Sequence, residues 1–259
     1  MNDATCLGGH PDALTAEVAG HRLEVIADGD LRIERILALV NGAARSIDLV
    51  MYIFDHDEAG TRVLDAMTAA AQRGVRVRAV IDSFGSSDLT DDIFAPLRAA
   101  RGSVTFFSRR WRSSYLIRNH QKLLVIDDEV AVTGGFNIAS GYLSGDRSLC
   151  WFDLGIVVRG PSVARMVAWF AEIHDYTVHH DGKLFLLRRL IREWPVDKGP
   201  VTWLVGGPTQ RLSPWAQAVR SDLVGACQLD MAMAYFSPGQ GMLRRLGRAE
   251  EADVQLQRA

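Results

Sequence analysis

Apolar and polar positions alternate along the chain with two different periods, which predict strands and helices in turn. Short runs rich in β-branched residues indicate strands, and apolar residues spaced three and four positions apart indicate helices. The predicted strands span residues 23–27, 46–54, 75–81, 104–107, 123–126, 130–133 and 154–158. The predicted helices span residues 31–44, 61–73, 92–100 and 161–176. This order predicts an α/β sandwich in which a mixed sheet is flanked by helices.

The pattern then starts again. Residues 201–205 predict a strand, 215–226 a helix, 241–248 a helix and 253–256 a strand. Between them, residues 229–236 (LDMAMAYF) repeat residues 47–54 (IDLVMYIF). Several elements recurring in the same order favour duplication over chance. The predicted organisation is therefore a loose leader over residues 1–21, a complete α/β half over 22–180, a linker helix over 181–199 and a partial second repeat over 200–259.

Composition narrows the class of protein. Hydrophobic residues make up 48% and charged residues 23%, which is typical of a globular chain and excludes a disordered one. The net charge of −2 does not favour a polyanion as a general partner. The three cysteines show no CxxC spacing, and no run of about 18 apolar residues predicts a membrane span. Because the first residues also lack the features of a signal peptide, we expect a cytoplasmic protein.

The segment 118–137 carries the candidate chemistry. His120 and Lys122 are two positions apart in an extended stretch, so their side chains leave the same face. Asn137 returns after the next predicted strand, and Gly134 and Gly135 let backbone approach a ligand closely. An imidazole, an ammonium and amide donors suit a phosphoryl group. One histidine without clustered carboxylates is a poor zinc or magnesium site, so we predict no metal and no cofactor.

The spacing H-x-K-x4-D-x6-G-G-x-N from His120 to Asn137 resembles the HKD signature of the phospholipase D superfamily. Ile138, Tyr142 and the segment from Trp151 to Asp153 resemble the bacterial cardiolipin synthase branch. The resemblance covers residues 22–178 together with the partial repeat. It implies the phospholipase D-like α/β fold and phosphodiester chemistry that proceeds through a phosphohistidine.

The resemblance also assigns roles by position. His120 becomes the candidate nucleophile, Asp127 a supporting residue at a turn, and Asp153 either the partner that orients an imidazole or a residue that merely starts a strand. The predicted catalytic set is His120, Lys122, Asp127, Asn137 and Asp153. The predicted phosphate-binding positions are Lys122, Asn137, Gly134, Gly135 and Arg118.

Two basic segments leave alternatives open. Arg109–Arg112, together with Arg118, can steer anionic head groups, contact a nucleic-acid backbone, or form a solvated loop. Residues 183–194 form a basic amphipathic helix that either lies on an anionic membrane or packs on its own domain.

The sequence departs from the family in one respect: phospholipase D sites pair two HKD motifs, and this sequence holds one. Three interpretations follow: a shortened cardiolipin synthase-like protein, a homodimeric nuclease or phosphodiesterase in which two copies of His120 meet, and a non-catalytic remnant. We favour the first, a phosphatidyltransferase impaired by its missing half. Its expected partners are a phospholipid such as phosphatidylglycerol and the inner face of the cell membrane, bound peripherally. A homodimer is the alternative, and nucleic acid is less favoured.

Overall fold

The computed structural model describes residues 13–108, 119–146, 151–196, 199–207, 213–226, 228–231, 240–241, 243 and 254–256. The chain divides into two compact units. The first comprises Met1–Leu184 with Asp197–Trp203, and the second comprises Phe185–Val196 with Leu204–Ala259. The first unit contains the sheet that positions the candidate site.

Eight strands form this sheet in the order β1-β2-β8-β7-β6-β3-β4-β5. The strands are β1 Leu14–Val18, β2 His21–Ile26, β3 Ser46–Met51, β4 Arg76–Asp82, β5 Ser103–Phe107, β6 Leu123–Ile126, β7 Val130–Gly134 and β8 Gly155–Arg159. β3, β4 and β5 are parallel, whereas all other neighbours are antiparallel. The predicted mixed sheet is therefore confirmed.

Helices cover both faces of the sheet. They are α1 Gly29–Gly42, α2 Glu58–Gln72, α3 Ala95–Ala99 after a 3₁₀ turn Asp91–Phe94, and α4 Val163–Asp175, which continues as a π-helical turn Tyr176–His180. Asp28 and Asp57 cap α1 and α2, because their side chains accept hydrogen bonds from the amides of Leu31 and Gly60. α1 and α2 pack on one face, where strand residues such as Leu49 join the main hydrophobic core.

α4 covers the opposite face and encloses a buried ion pair. Trp169 and Phe170 of α4 are fully buried. Arg78 donates two hydrogen bonds, of 2.8 and 2.7 Å, to the carboxylate of Asp48, which is 1% exposed. The Arg78 guanidinium also lies 4.8 Å from the centre of the Phe170 ring. Both carboxylate oxygens are thus satisfied, as a buried charge requires.

The second unit contains α5 Leu184–Glu193, which begins at its boundary, α6 Pro214–Gly225, and the parallel strands β9 Leu229–Met231 and β10 Val254–Leu256. β9 and β10 pair in parallel, as β3 and β4 do. The predicted strand over 201–205 is wrong, because those residues form irregular structure. Most of the predicted helix over 241–248 lies outside the described residues.

The predicted loose leader over residues 1–21 is also wrong in part. Leu14–Val18 form the edge strand β1, which pairs antiparallel with β2. The turn between them uses Ala19 and Gly20, both with positive φ, in a tight hairpin. Four of the five β1 residues are exposed, so the strand lacks the apolar run that would have revealed it.

Candidate active site

The sheet topology brings the motif residues to one edge. The carboxyl ends of β3 and β4 meet the amino end of β6, because β6 runs antiparallel to β3. The carboxyl end of β7 and the amino end of β8 lie at the same edge. Residues that precede β6, follow β7 and precede β8 therefore converge, although they are far apart in sequence.

His120 and Lys122 lie in an extended segment just before β6, rather than within the strand itself. Gln121 between them accepts a 2.6 Å hydrogen bond from the indole of Trp169 in α4. Since side chains alternate in an extended chain, this contact sends His120 and Lys122 to the other side. His120 is exposed, so its ring is accessible to a ligand.

Tyr52 and Lys122 both contact His120, the candidate nucleophile. The rings of His120 and Tyr52 are stacked, with centroids 3.8 Å apart and planes inclined by 20°. The Nζ of Lys122 donates a 2.8 Å hydrogen bond to the carbonyl of His120 and lies 5.2 Å from the centre of the Tyr52 ring. Tyr52 follows β3, and its adjacency to His120 depends on the pairing of β3 with β6.

Burial lowers the pKa of the Lys122 ammonium, and the carboxylates of Asp153 and Asp82 partly offset that effect. Burial likewise raises the pKa of Asp153, against the opposing influence of the Leu154 amide, Arg32 and Lys122. These two opposite charges thus influence each other in a partly buried setting. A bound phosphodiester anion would meet Lys122 in a setting with less water, where electrostatic attraction is stronger.

Asn137 is buried beside the end of β3. Its side-chain oxygen accepts a 3.1 Å hydrogen bond from the amide of Ile53. Backbone hydrogen bonds between Ile138 and both Ile53 and Asp55 hold the segments after β7 and β3 together. Because the oxygen of Asn137 is used by the backbone, its NH₂ group is the end that can donate to a phosphate oxygen.

Gly134 and Gly135 are glycines because other atoms occupy the place of a side chain. A Cβ on Gly135 would lie 2.3 Å from a carboxylate oxygen of Asp153, and one on Gly134 would lie 2.2 Å from the carbonyl oxygen of Leu154. The carboxylate of Asp153 is fixed further by a 2.7 Å hydrogen bond from the Leu154 amide. The glycine pair thus seats Asp153 against the turn that follows β7.

Two buried charged side chains, Arg32 and Asp82, support this arrangement, and the sequence pattern alone did not identify them. Arg32 of α1 donates hydrogen bonds to the carbonyls of Ala27, Asp153 and Tyr142. It lies four positions before Ile36 on the apolar stripe of the helix, and a cation on such a stripe is the signal that could have revealed it.

Asp82 ends β4 and joins two loops. Its carboxylate accepts hydrogen bonds of 2.9 Å from the amides of Phe84 and Gly85, and one of 2.7 Å from the amide of Asn119. It therefore holds the residue immediately before His120. A carboxylate at the carboxyl end of a buried parallel strand is the sequence signal in this case.

Asp127 lies at the other end of β6, about 16 Å from Lys122 at the usual rise of a strand. It accepts hydrogen bonds from the amides of Ala44 (2.9 Å), Arg45 (2.6 Å) and Ser46 (2.8 Å). It thereby joins the β6–β7 turn to the segment between α1 and β3. The structure therefore separates Asp127 from the other four members of the predicted catalytic set.

Other predicted elements have different outcomes. Arg118, Arg109–Arg112 and the cysteines lie outside the described residues. In α5, Leu187 and Ile191 are buried whereas Phe185 is exposed, so most of the apolar stripe is covered. None of the helices in the described part of the chain is long and apolar enough to cross a bilayer. Within the same residues, no group of His, Cys, Asp or Glu side chains is arranged to hold a metal ion.

Comparisons with known proteins agree with the motif and the fold. The Major cardiolipin synthase ClsA of Bacillus subtilis (strain 168) is 34% identical over 200 residues, covering 75% of this chain and 41% of that protein. A cardiolipin synthase of Geobacillus kaustophilus (strain HTA426) is 30% identical over 249 residues, covering 93% of this chain and 48% of that protein. The chain therefore spans less than half the length of these relatives.

A solved structure, phosphatidylserine synthase of Haemophilus influenzae Rd KW20, superposes with a TM-score of 0.67 at 16% identity. The match covers 90% of this chain and 60% of that one, and it shows a shared fold. The family profile described as "Cardiolipin synthase, PLD-like domain" matches residues 36–173. The resemblance drawn from the HKD spacing is thus confirmed. Because the profile covers more than half of the sequence, the chain belongs to the cardiolipin synthase family of phospholipase D-like domains.

Proposed function

We propose that this chain provides a phosphatidyl-transfer site of the cardiolipin synthase type. The observation that carries the proposal is the convergence of His120, Lys122, Asn137 and Asp153 at one sheet edge in a domain of this family. A ring nitrogen of His120 attacks the phosphorus of a phospholipid such as phosphatidylglycerol. The N–P bond forms, the P–O bond to the head-group glycerol breaks, and the glycerol oxygen takes up a proton.

In the second half of the reaction, the hydroxyl of another phosphatidylglycerol attacks the same phosphorus. The new P–O bond forms, the N–P bond breaks, and His120 is released. The hydroxyl proton passes to the base left by the acid that protonated the departing glycerol, which restores that acid. The Lys122 ammonium and the Asn137 amide bind the non-bridging oxygens, whose negative charge grows in both transition states. The Asp153 carboxylate offsets part of the charge of Lys122.

A lipid substrate is supported by the relatives' names and by the surface beside the site. Trp151 is 58% exposed and Phe152 is 75% exposed, and the two residues immediately precede Asp153. Exposed large apolar side chains at a site suit a substrate with an acyl portion. The Bacillus subtilis and Geobacillus kaustophilus relatives are both named as cardiolipin synthases.

Departure of the glycerol oxygen requires a proton, and a general acid that supplies it raises the rate by about 10²–10⁴-fold. In the family that acid is the histidine of a second HKD motif, and this sequence holds one motif. We therefore expect the chain alone to be impaired in transfer from natural lipids. A second HKD half would relieve the impairment.

The test uses the full chain with phosphate-labelled phosphatidylglycerol in mixed micelles, with single-stranded DNA in a parallel reaction. The variants are His120→Ala and the control His179→Ala, which replaces an exposed histidine on the π-helical turn. Slow cardiolipin formation that His120→Ala abolishes and His179→Ala retains supports the proposal. Cleavage of DNA without lipid turnover overturns it in favour of a nuclease. Absence of turnover on both substrates overturns it in favour of a non-catalytic remnant.

A further inference from the structure

An aromatic ring contacts the histidine and the lysine of the HKD motif. The ring of Tyr52 is stacked on the imidazole of His120 at 3.8 Å between centroids. The centre of the same ring lies 5.2 Å from the ammonium nitrogen of Lys122. One side chain that follows β3 therefore touches two functional groups that precede β6.

Tyr52 is itself held in place by the turn after β4. A Cβ on Gly85 would lie 2.8 Å from two carbons of the Tyr52 ring and 2.2 Å from the Tyr52 carbonyl oxygen. The hydroxyl of Ser86 donates a 3.2 Å hydrogen bond to that carbonyl. The amide of Gly85 is bound in turn by Asp82. The Tyr52 ring thus packs on an anchored turn.

The stack has two consequences for an attacking imidazole. The lone pair of a ring nitrogen lies in the plane of the ring. A neighbour that fixes this plane therefore also fixes the direction of attack, and such orientation contributes strongly to the rate. The aromatic face also carries negative charge density, which stabilises positive charge on a neighbouring ring or ammonium. Positive charge develops on the imidazole as the N–P bond forms.

We propose that Tyr52 is a positioning residue that sets the plane of the His120 imidazole for attack on phosphorus. This inference rests on the proposed function for its effect on rate, but the stack can be tested without any activity. Tyr52→Phe keeps the aromatic ring, whereas Tyr52→Leu and Tyr52→Met remove it. Two ring-free variants are used so that the test remains possible if one of them fails to fold. Tyr176→Leu is the control, since it removes a tyrosine ring that is buried elsewhere, against Phe107.

The first readout is the proton spectrum of the His120 ring, assigned by comparison with His120→Gln. A ring stacked at 3.8 Å shifts those protons upfield. We expect the upfield shift in the wild type, Tyr52→Phe and Tyr176→Leu, and its loss in Tyr52→Leu and Tyr52→Met. Unchanged His120 shifts in a folded Tyr52→Leu or Tyr52→Met protein would overturn the proposal.

The second readout is hydrolysis of bis(4-nitrophenyl) phosphate, a soluble diester whose leaving group departs without a proton. We expect kcat to fall roughly tenfold in Tyr52→Leu, with KM little changed and Tyr52→Phe within about twofold of wild type. A Tyr52→Phe enzyme as slow as Tyr52→Leu would assign the effect to the hydroxyl and overturn the proposal. If the wild type shows no turnover, the proposed function fails on this substrate, and the ring-proton shifts alone decide the stack.

Discussion

Replacing Asp127 with asparagine should destabilise the fold and leave the chemistry at the other end of β6 intact. One carboxylate oxygen of Asp127 accepts hydrogen bonds from the amides of Arg45 and Ser46, and the other accepts one from Ala44. Asparagine keeps one acceptor oxygen for the first pair. Its NH₂ group then faces the Ala44 amide, donor against donor, so that bond is lost.

A hydrogen bond to a charged group contributes about 1.5–3 kcal/mol. The remaining two bonds weaken when the charge is removed, but Asp127 is partly exposed, and water compensates part of the loss. We therefore expect the free energy of unfolding to fall by about 1–3 kcal/mol. The matched control is Asp128→Asn, at the exposed neighbour in the same turn with a similar positive φ, which should change the free energy of unfolding by less than about 0.5 kcal/mol.

The effect should depend on pH in a defined direction. Burial alone would raise the pKa of Asp127, but the three backbone amides and Arg45 outweigh it and hold the pKa below its usual range. A carboxyl group whose pKa is lower in the folded state stabilises the fold above the unfolded pKa of about 3.9 and loses that contribution as pH falls through the folded pKa. The difference between wild type and Asp127→Asn should thus be largest near neutral pH and shrink below about pH 4.

The assay is urea unfolding from pH 3 to 7, combined with turnover of bis(4-nitrophenyl) phosphate at neutral pH. The expected result is a lower unfolding midpoint with kcat within about twofold of wild type, provided both proteins are folded at the assay temperature. An unchanged unfolding midpoint together with a large loss of kcat would refute the reasoning, because it would place Asp127 in the chemistry rather than in the turn.

Two further substitutions test the support of Asp153. Gly135→Ala places a methyl group 2.3 Å from the Asp153 carboxylate and should displace it. We expect turnover of a phosphodiester to fall at least tenfold and the free energy of unfolding to fall by about 1–3 kcal/mol. Turnover at the wild-type rate would contradict this prediction. Arg32→Met removes a buried cation that donates hydrogen bonds to the carbonyls of Ala27, Asp153 and Tyr142. We expect the free energy of unfolding, measured in urea, to fall by about 3–5 kcal/mol. A decrease below about 1 kcal/mol would show that these hydrogen bonds stabilise the fold little.

The part of the site that the sequence predicted is local in the chain. His120 and Lys122 are two residues apart, and the return to Gly134, Gly135 and Asn137 needs only the short β6–β7 hairpin. When a tight hairpin connects two strands, the spacing of residues in the sequence is sufficient to predict which side chains lie close together. The central strands and the helices around them were predictable for a similar reason, because a sheet covered on both faces produces long apolar runs.

The remaining parts depend on strand order, which spacing does not encode. Tyr52 reaches His120 only because β3 pairs with β6, and Asp82 reaches Asn119 because β4 lies next to β3. Arg32 contacts the site from a helix more than 100 residues away in sequence. The edge strand β1 was missed for a different reason: its exposed residues carry little of the hydrophobic pattern on which the prediction relied.

The central claim is that His120 is the nucleophile. The most direct measurement uses a phosphatidyl 4-nitrophenyl diester, whose leaving group needs no acid and therefore bypasses the second motif. The full chain is mixed with this substrate, quenched within seconds in base, and its peptides are analysed by mass spectrometry. We predict a phosphatidyl adduct on the peptide that contains His120, labile in acid, present in His179→Ala and absent in His120→Ala. An adduct on another residue, or nitrophenol release at the wild-type rate by His120→Ala, would contradict the account.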